Sequence, residues 1–294
     1  MHPFPSASDK RAALAAKIRH REFVTAPGVY DMVTTRIADR QNHPALYMTG
    51  YGVVASYLGV PDAGIASFRD MVVRAQTICG GSRTPVIADA DTGYGGLLNV
   101  RETVRGYEAA GVAVIQLEDQ VFPKKCGHTP GREVIAAAEM VKKIRVAVEA
   151  RQDSNFLIMA RTDARETLGI EQAISRGKQY RDAGADIIFI EAPESEAEFQ
   201  AIGESIDAPL LANMVENGRS PVLSTEKLSA LGFSVAIYPG AALAVTVAAL
   251  ENTYQHIKTT GSTNGCSSPM MPISELHELM GFEDVWEFDK RWAD

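Results

Sequence analysis

The chain has 294 residues, of which 46% are hydrophobic and 22% charged, a composition that suits a soluble globular protein with one large core. Its formal net charge of −8 argues against nucleic acid as a partner, because phosphate recognition needs a basic face. An acidic chain can still take an acidic small molecule if a metal or a few local cations do the binding.

In chain order, short apolar runs occupy residues 23–26, 45–49, 85–88, 114–117, 156–160, 187–190, 209–212 and 235–238. Their near-continuous hydrophobicity suits parallel strands buried on both faces. Between them, helical spacing appears over residues 100–110, 136–150, 170–183 and 225–231. The first, third and fourth of these run into Gly111, Gly184 and Gly232, the residue expected just past a helix end. Residues 261–269 form a polar break, and 273–292 read as one or two amphipathic helices. Repeated strand–helix alternation predicts an α/β fold, a (β/α)8 TIM barrel, rather than the alternative of a doubly wound open sheet. The whole of 1–294 is expected to be one barrel domain, with 262–294 as a C-terminal helical extension.

Three cysteines, Cys79, Cys126 and Cys266, are too few for a disulfide framework and point to a reducing compartment. Residues 1–16 lack the apolar stretch of a secretion signal. No run approaches the roughly 18 apolar residues of a membrane span. The expectation is a cytoplasmic protein without membrane contact.

Catalytic groups of such a barrel sit at the C-terminal ends of its strands. Those ends carry Thr49-Gly50-Tyr51, Asp89-Ala90-Asp91, Glu118-Asp119, Arg161-Thr162-Asp163, Glu191, Asn213 and Tyr238-Pro239-Gly240. Asp89 and Asp91 are two apart, so on a strand they face one side. Two converging carboxylates raise each other's pKa unless a cation neutralises them. With Glu118 at the next rim, this oxygen-rich set suits Mg2+ or Mn2+; a turn cap beside Gly93 is the plainer alternative. Lys124-Lys125-Cys126-Gly127-His128 places a thiol among cations, a setting that makes it a proton donor or nucleophile. Lys124 and His128 are taken as its catalytic neighbours, and Gly127 gives the loop freedom to close. Arg161 offers a fork for a carboxylate, or a salt bridge to Glu191 or Asp163. Asn213 donates to a substrate carboxylate or satisfies a loop carbonyl.

These residues resemble the isocitrate lyase/phosphoenolpyruvate mutase superfamily. The resemblance rests on Lys124–His128 and on Gly59-Val60-Pro61-Asp62, Asp89–Gly95, Glu118-Asp119-Gln120, Met159–Asp163 and Leu211–Met214 in order. It implies Mg2+ held by Asp91 and, through water, by Asp89 and Glu118, with Asp62 nearby. It implies a 2-keto acid portion bound by Thr49, Gly50, Tyr51 and Arg161, and a site completed by Glu191 and Asn213. It further implies Cys126 as the acid that protonates the leaving fragment, after a carbon–carbon bond of a 2-hydroxy acid breaks. Tyr47 is the candidate acceptor of the hydroxyl proton. The resemblance also implies a last helix exchanged between subunits, within a homotetramer of paired dimers.

Within the superfamily, Cys126 favours a lyase over a phosphonopyruvate-forming mutase, where asparagine is typical. Pro239 stands where oxaloacetate hydrolases favour serine. No arginine occurs between Arg219 and Arg291; methylisocitrate lyases draw one from this segment, where Ile273 or Ser274 stands. The expected substrate is therefore a substituted malate such as 2,3-dimethylmalate, the branch shared with petal death proteins. 2-Methylisocitrate cleavage and a carboxyphosphonate-type mutase are the alternatives.

Overall fold

The computed structural model describes residues 4–127 and 129–293. Eight strands appear where the apolar runs predict them: β1 (Val24–Val29), β2 (Leu46–Met48), β3 (Val86–Asp89), β4 (Val114–Glu118), β5 (Leu157–Thr162), β6 (Ile187–Ile190), β7 (Leu210–Asn213) and β8 (Val235–Tyr238). Each pairs in parallel with the next, and β8 pairs back onto β1 with Val24 opposite Val235. That closure excludes the open-sheet alternative.

Helices fill the crossovers: α1 (Ala7–Arg19), α2 (Met32–Asp39), α3 (Gly50–Leu58), α4 (Phe68–Gly80), α5 (Leu97–Ala109), α6 (Ala137–Ala150), α7 (Ala164–Leu168), α8 (Ile170–Asp182), α9 (Glu196–Ser205) and α10 (Thr225–Ala230). Their starts follow local chemistry. The Ser67 hydroxyl accepts from the Asp70 amide while the Asp70 carboxylate accepts from the Ser67 amide, a reciprocal cap on α4. Ser195 and Ser224 cap α9 and α10 in the one-sided form. The barrel core joins residues from all eight strands, among them Val24, Ala26, Tyr47, Ile87, Val114, Met159, Phe189, Leu211 and Ile237. β3 through β7 are buried along their entire length, which is why their sequences carry no polar alternation.

The described residues divide into two compact units, one over 5–241 and a second over 242–293. The second holds most of α11 (Ala241–Thr260), with α12 (Ile273–Met280) and α13 (Phe282–Trp292). The polar break after α11 folds back on that helix: the Asn252 amide donates to Ser267 and Ser268, at 3.0 and 2.8 Å. These bonds tie the polar break to α11. Gly281, with φ +85°, breaks 273–292 into two helices. α11 and α13 leave Val245, Tyr254, Trp286, Phe288 and Trp292 exposed. Among the described residues, no helix is long and apolar enough to cross a membrane.

Candidate active site

A cavity of about 200 Å³ opens at the C-terminal ends of the barrel strands. Its walls come from β2 and its loop (Tyr47, Thr49, Tyr51, Asp62), β3 (Asp89), β4 and its loop (Glu118, Lys124, Cys126), β5 (Arg161), β6 (Glu191), β7 (Asn213) and the end of β8 (Ile237, Pro239). Residues as far apart in sequence as Tyr47 and Gly240 meet here. Gly50 does not line the cavity but sits behind it. A Cβ at that position would lie 2.6 Å from Asp89 Oδ2, so only glycine leaves room for the carboxylate.

One half of the cavity is acidic. Lys124 is 3% exposed and its ammonium lies 2.6 Å from Asp62 Oδ1 and 2.8 Å from Asp91 Oδ1. The contact to Asp91 is an ion pair out of line for a hydrogen bond. Burial opposes the charge on Lys124, but Asp91, Glu118, Asp89 and Asp62 outweigh it and hold the amine protonated, its pKa well above the ordinary lysine range. Burial pushes the carboxyl of Asp91 up to about 6 and raises Asp89 and Glu118 as well. Asp91 departs from the strand geometry expected of it. β3 ends at Asp89, and Asp91 adopts φ +47° in the turn beyond. Its amide donates to Asp89 Oδ1 at 3.1 Å. Asp91 therefore stands behind Lys124 rather than in the cavity wall, and the two-residue spacing puts the carboxylates together through a turn, not along a strand.

Whether this set suits a divalent cation follows from its donors. Four carboxylates, those of Asp62, Asp89, Asp91 and Glu118, face the Lys124 ammonium and, 3.5 Å from Glu118, the Arg161 guanidinium. Buried Glu118 Oε1 has no hydrogen-bond partner, a costly state that a cation or a bound water would relieve. All donors are hard oxygens, which fits Mg2+ or Mn2+. Among the described residues, no three such side chains converge tightly enough to enclose an ion. A cation held here would keep several waters, as Mg2+ usually does.

The other half holds Arg161, Glu191 and Asn213. Arg161 is gripped in two places by Asp163, Nε to Oδ2 at 2.9 Å and Nη2 to Oδ1 at 2.8 Å. Arg161 forms the salt bridge to Asp163 and also lines the cavity. Burial would raise the Asp163 carboxyl, but Arg161 and Arg132 hold it below the usual carboxylate range. Asn213 Nδ2 donates to both oxygens of Glu191, at 3.3 and 3.2 Å.

Cys126 sits on the β4–α6 loop, between the two halves. Its amide donates to the Asp62 carbonyl at 3.1 Å. Gln120 clips the loop by accepting from the Lys125 amide and donating to the Lys125 carbonyl, both at 2.9 Å. A Cβ on Gly127 would strike Arg161 Nη2 and Glu191 Oε1, so the loop lies directly against the Arg161 half. Lys124 turns to the carboxylates, so its charge serves them first; His128 lies outside the described residues.

Tyr47 is buried and its phenol donates to Gln116 Oε1 at 3.0 Å, while Gln116 Nε2 donates to Asp89 Oδ1 at 3.2 Å. Burial raises the Tyr47 pKa well above the phenol range. The phenol is a hydrogen-bond donor in this relay. Sequence reading missed Gln116, although it is the lone polar residue within the apolar run 114–117. It also missed Val215 and Ile237, which give the cavity apolar wall; nothing in their local sequence marks them.

Comparison with known proteins agrees with this architecture. The phosphoenolpyruvate phosphomutase family matches residues 14–258. The chain is 50% identical to a 2,3-dimethylmalate lyase of Eubacterium barkeri over 95% of its own length and 98% of that protein's. It is 40% identical to a 2-methylisocitrate lyase of Aeropyrum pernix, over 94% and 88% of the two chains. A crystal structure of a 2,3-dimethylmalate lyase superposes with a TM-score of 0.89 at 38% identity, covering 99% of this chain and 97% of that one. With its closed barrel and its rim of carboxylates, cysteine loop and arginine, the chain belongs to the phosphoenolpyruvate mutase/isocitrate lyase superfamily.

Proposed function

We propose that this protein is a magnesium-dependent carbon–carbon lyase. It cleaves a 2-alkylmalate, with 2,3-dimethylmalate as the leading candidate, to a 2-keto acid and a carboxylic acid. The observation that carries the reading is the position of Cys126, between an acidic wall and Arg161 in one small cavity. The 50% identity to a 2,3-dimethylmalate lyase, spanning nearly both chains, supports the substrate class.

Asp89, Asp91, Glu118 and Asp62 would hold the cation, partly through water. When bound, Mg2+ supplies charge neutralisation for the substrate's hydroxyl and carboxylate oxygens. Arg161, aimed by Asp163, binds a carboxylate of the keto acid portion, with Thr49 and Tyr51 beside it. Glu191 and Asn213 orient the second fragment. As the carbon–carbon bond breaks, the substrate's hydroxyl proton passes to a carboxylate of the acidic wall, the departing fragment carries the electron pair, and the Cys126 thiol delivers its proton to that fragment as general acid; after product release the carboxylate's proton is lost and solvent re-protonates the thiolate. Tyr47 and Gln116 fix the Asp89 carboxylate rather than exchange protons with substrate. Pro239, Ile237 and Val215 receive the alkyl groups. Closure of the Cys126 loop keeps bulk water from protonating the fragment first.

Two carboxylates suit this cavity better than three. Its inner cations, Lys124 and Arg161, are already shared with protein carboxylates, and Lys125 Nζ donates to the Gly131 carbonyl. 2-Methylisocitrate remains the second reading because the Aeropyrum lyase is 40% identical. The exposed apolar faces of α11 and α13 fit exchange of the last helices with a second copy, in a homotetramer. Three unbridged thiols suit a reducing, cytoplasmic setting. The test is keto-acid release from a panel of 2-hydroxy di- and tricarboxylates with Mg2+, with phosphorus NMR of a phosphonate run in parallel. Turnover of 2-alkylmalates is expected; turnover of the phosphonate alone would replace the lyase with a mutase.

A further inference from the structure

Arg132 lies outside the cavity, yet it is the most deeply held cation of the Cys126 loop. It is 2% exposed. Its Nη1 lies 2.6 Å from Asp163 Oδ1 and its Nε 2.7 Å from Glu166 Oε2. Each of these carboxylates is shared with a second arginine, one at the end of β5 and one on the segment after β7. Asp163 Oδ1 also accepts from Arg161 Nη2 at 2.8 Å. The second oxygen of Glu166 lies 2.9 Å from Arg219 Nη2, on the segment that follows Asn213. Lys124 makes the other buried charged tie, to Asp62 and Asp91 on the side before Cys126; the backbone-to-backbone ties on the side after it, where Arg132 stands, are neutral. The loop's base is a pair of backbone bonds, Val121 to Glu133 and Ile135 to Asp119. Its middle is the Gln120–Lys125 clip. Neutral bonds of this sort contribute about half as much as charge-assisted ones.

We propose that Arg132 is the positioning residue that holds the Cys126 loop over the cavity, and that Asp163 and Glu166 clasp it to the Arg161 and Asn213 rims. The proposal rests on the reading of Cys126 as the acid delivered by that loop. Because Asp163 serves both arginines through one oxygen, seating the loop and aiming Arg161 become a single event. The Cys126 acid and the carboxylate fork are thus assembled together. Arg219 extends the clasp to the segment after β7, which carries Val215 of the apolar wall. Arg132 touches no cavity surface, so its effect on the reaction passes through the loop.

The three cysteines supply the test within one molecule. The full-length protein is alkylated with iodoacetamide under native conditions, and each site is quantified by mass spectrometry. Cys126 reports the loop, half-exposed Cys266 is the internal reference, and Cys79 labels only on global opening because it is buried with its pKa raised to about 12. In Arg132→Gln, the Cys126 rate relative to Cys266 should rise about tenfold, the loss expected from removing a charge-assisted hydrogen bond. Arg132→Lys should recover part of that protection. Glu166→Gln, which leaves the Asp163 pair in place, should raise the ratio about threefold by the same reasoning. With 2,3-dimethylmalate, both variants should lower kcat more than they raise KM. If the ratio stays at the wild-type value in both variants while Cys79 remains unlabelled, the clasp does not hold the loop. Should Arg132→Gln expose Cys79, Glu166→Gln decides alone, and an unchanged ratio there overturns the proposal. Absence of wild-type turnover would count against the lyase reading, while the labelling ratios would still decide the clasp.

Discussion

Around Arg161 the protein has matched its charges, whereas around Asp89 it has left carboxylates in excess. Arg161 and Arg132 are paired with Asp163 and Glu166 through contacts of 2.6 to 2.9 Å. There the Asp163 carboxyl is held below its ordinary range. On the opposite wall, Asp89, Asp91 and Glu118 are all raised by burial, although Lys124 stands among them. The contrast separates two kinds of charge balance. In the arginine half, Arg161 is held in a fixed orientation by Asp163. The carboxylate half carries more buried negative charge than Lys124 alone offsets.

Four measurements would sharpen or break this contrast. The largest effect belongs to the group placed between the halves: Cys126→Ser should lower kcat about a thousandfold, as for loss of a general acid, with the thermal midpoint unchanged. Near-normal turnover in that variant would remove Cys126 from the mechanism.

Next comes the matched half. Asp163→Asn leaves Arg161 and Arg132 without their shared counter-charge and should cost about 3 kcal/mol of stability at pH 7, typical of a broken buried pair. The sign of its pH dependence follows from the depressed folded pKa. The unfolded chain binds the proton first as pH falls, so the stabilisation is present above the ordinary aspartate pKa. It disappears as pH drops through the lower folded value. Urea titrations of wild type and variant should therefore converge in strong acid; a constant gap would mean that packing, not charge, explains the loss.

The carboxylate half predicts stabilisation by metal. Mg2+ at a hundredfold excess over its dissociation constant should add about 2.7 kcal/mol, read as a higher thermal midpoint, and EDTA should reverse it and abolish turnover. Glu118→Gln should blunt the shift. An equal shift in that variant would place the ion elsewhere. The smallest effect is expected for Arg161→Lys, which keeps the charge but loses the fork; kcat/KM should fall about thirtyfold, the loss of one charge-assisted bond. A much larger fall would show that Arg161 does more than bind a carboxylate.

Much of this was legible in the order of residues. The eight strands lie within one to three residues of the apolar runs at each end, because strands buried on both faces leave unbroken hydrophobic stretches. The rim residues Asp89, Glu118, Arg161, Glu191 and Asn213 each end or directly follow such a run, so their place at the barrel mouth follows from the fold. Cys126 is marked by its lysine neighbours. The roles of those neighbours are not: Lys124 turns from the thiol toward Asp62, a residue 62 positions away.

The sequence by itself determined the barrel, the location of its mouth and the chemical character of the groups there. It did so because strand burial, helix capping and chain alternation are local signals with short periods. Only the tertiary structure decided which of those groups face one another. It set Asp91 behind Lys124, turned Tyr47 into a donor through Gln116, and gave Arg161 and Arg132 one carboxylate to share. Those outcomes depend on distances between different strand ends and loops. Such distances are fixed by the closure of the barrel and the packing of its loops, and leave no periodic trace in any one segment.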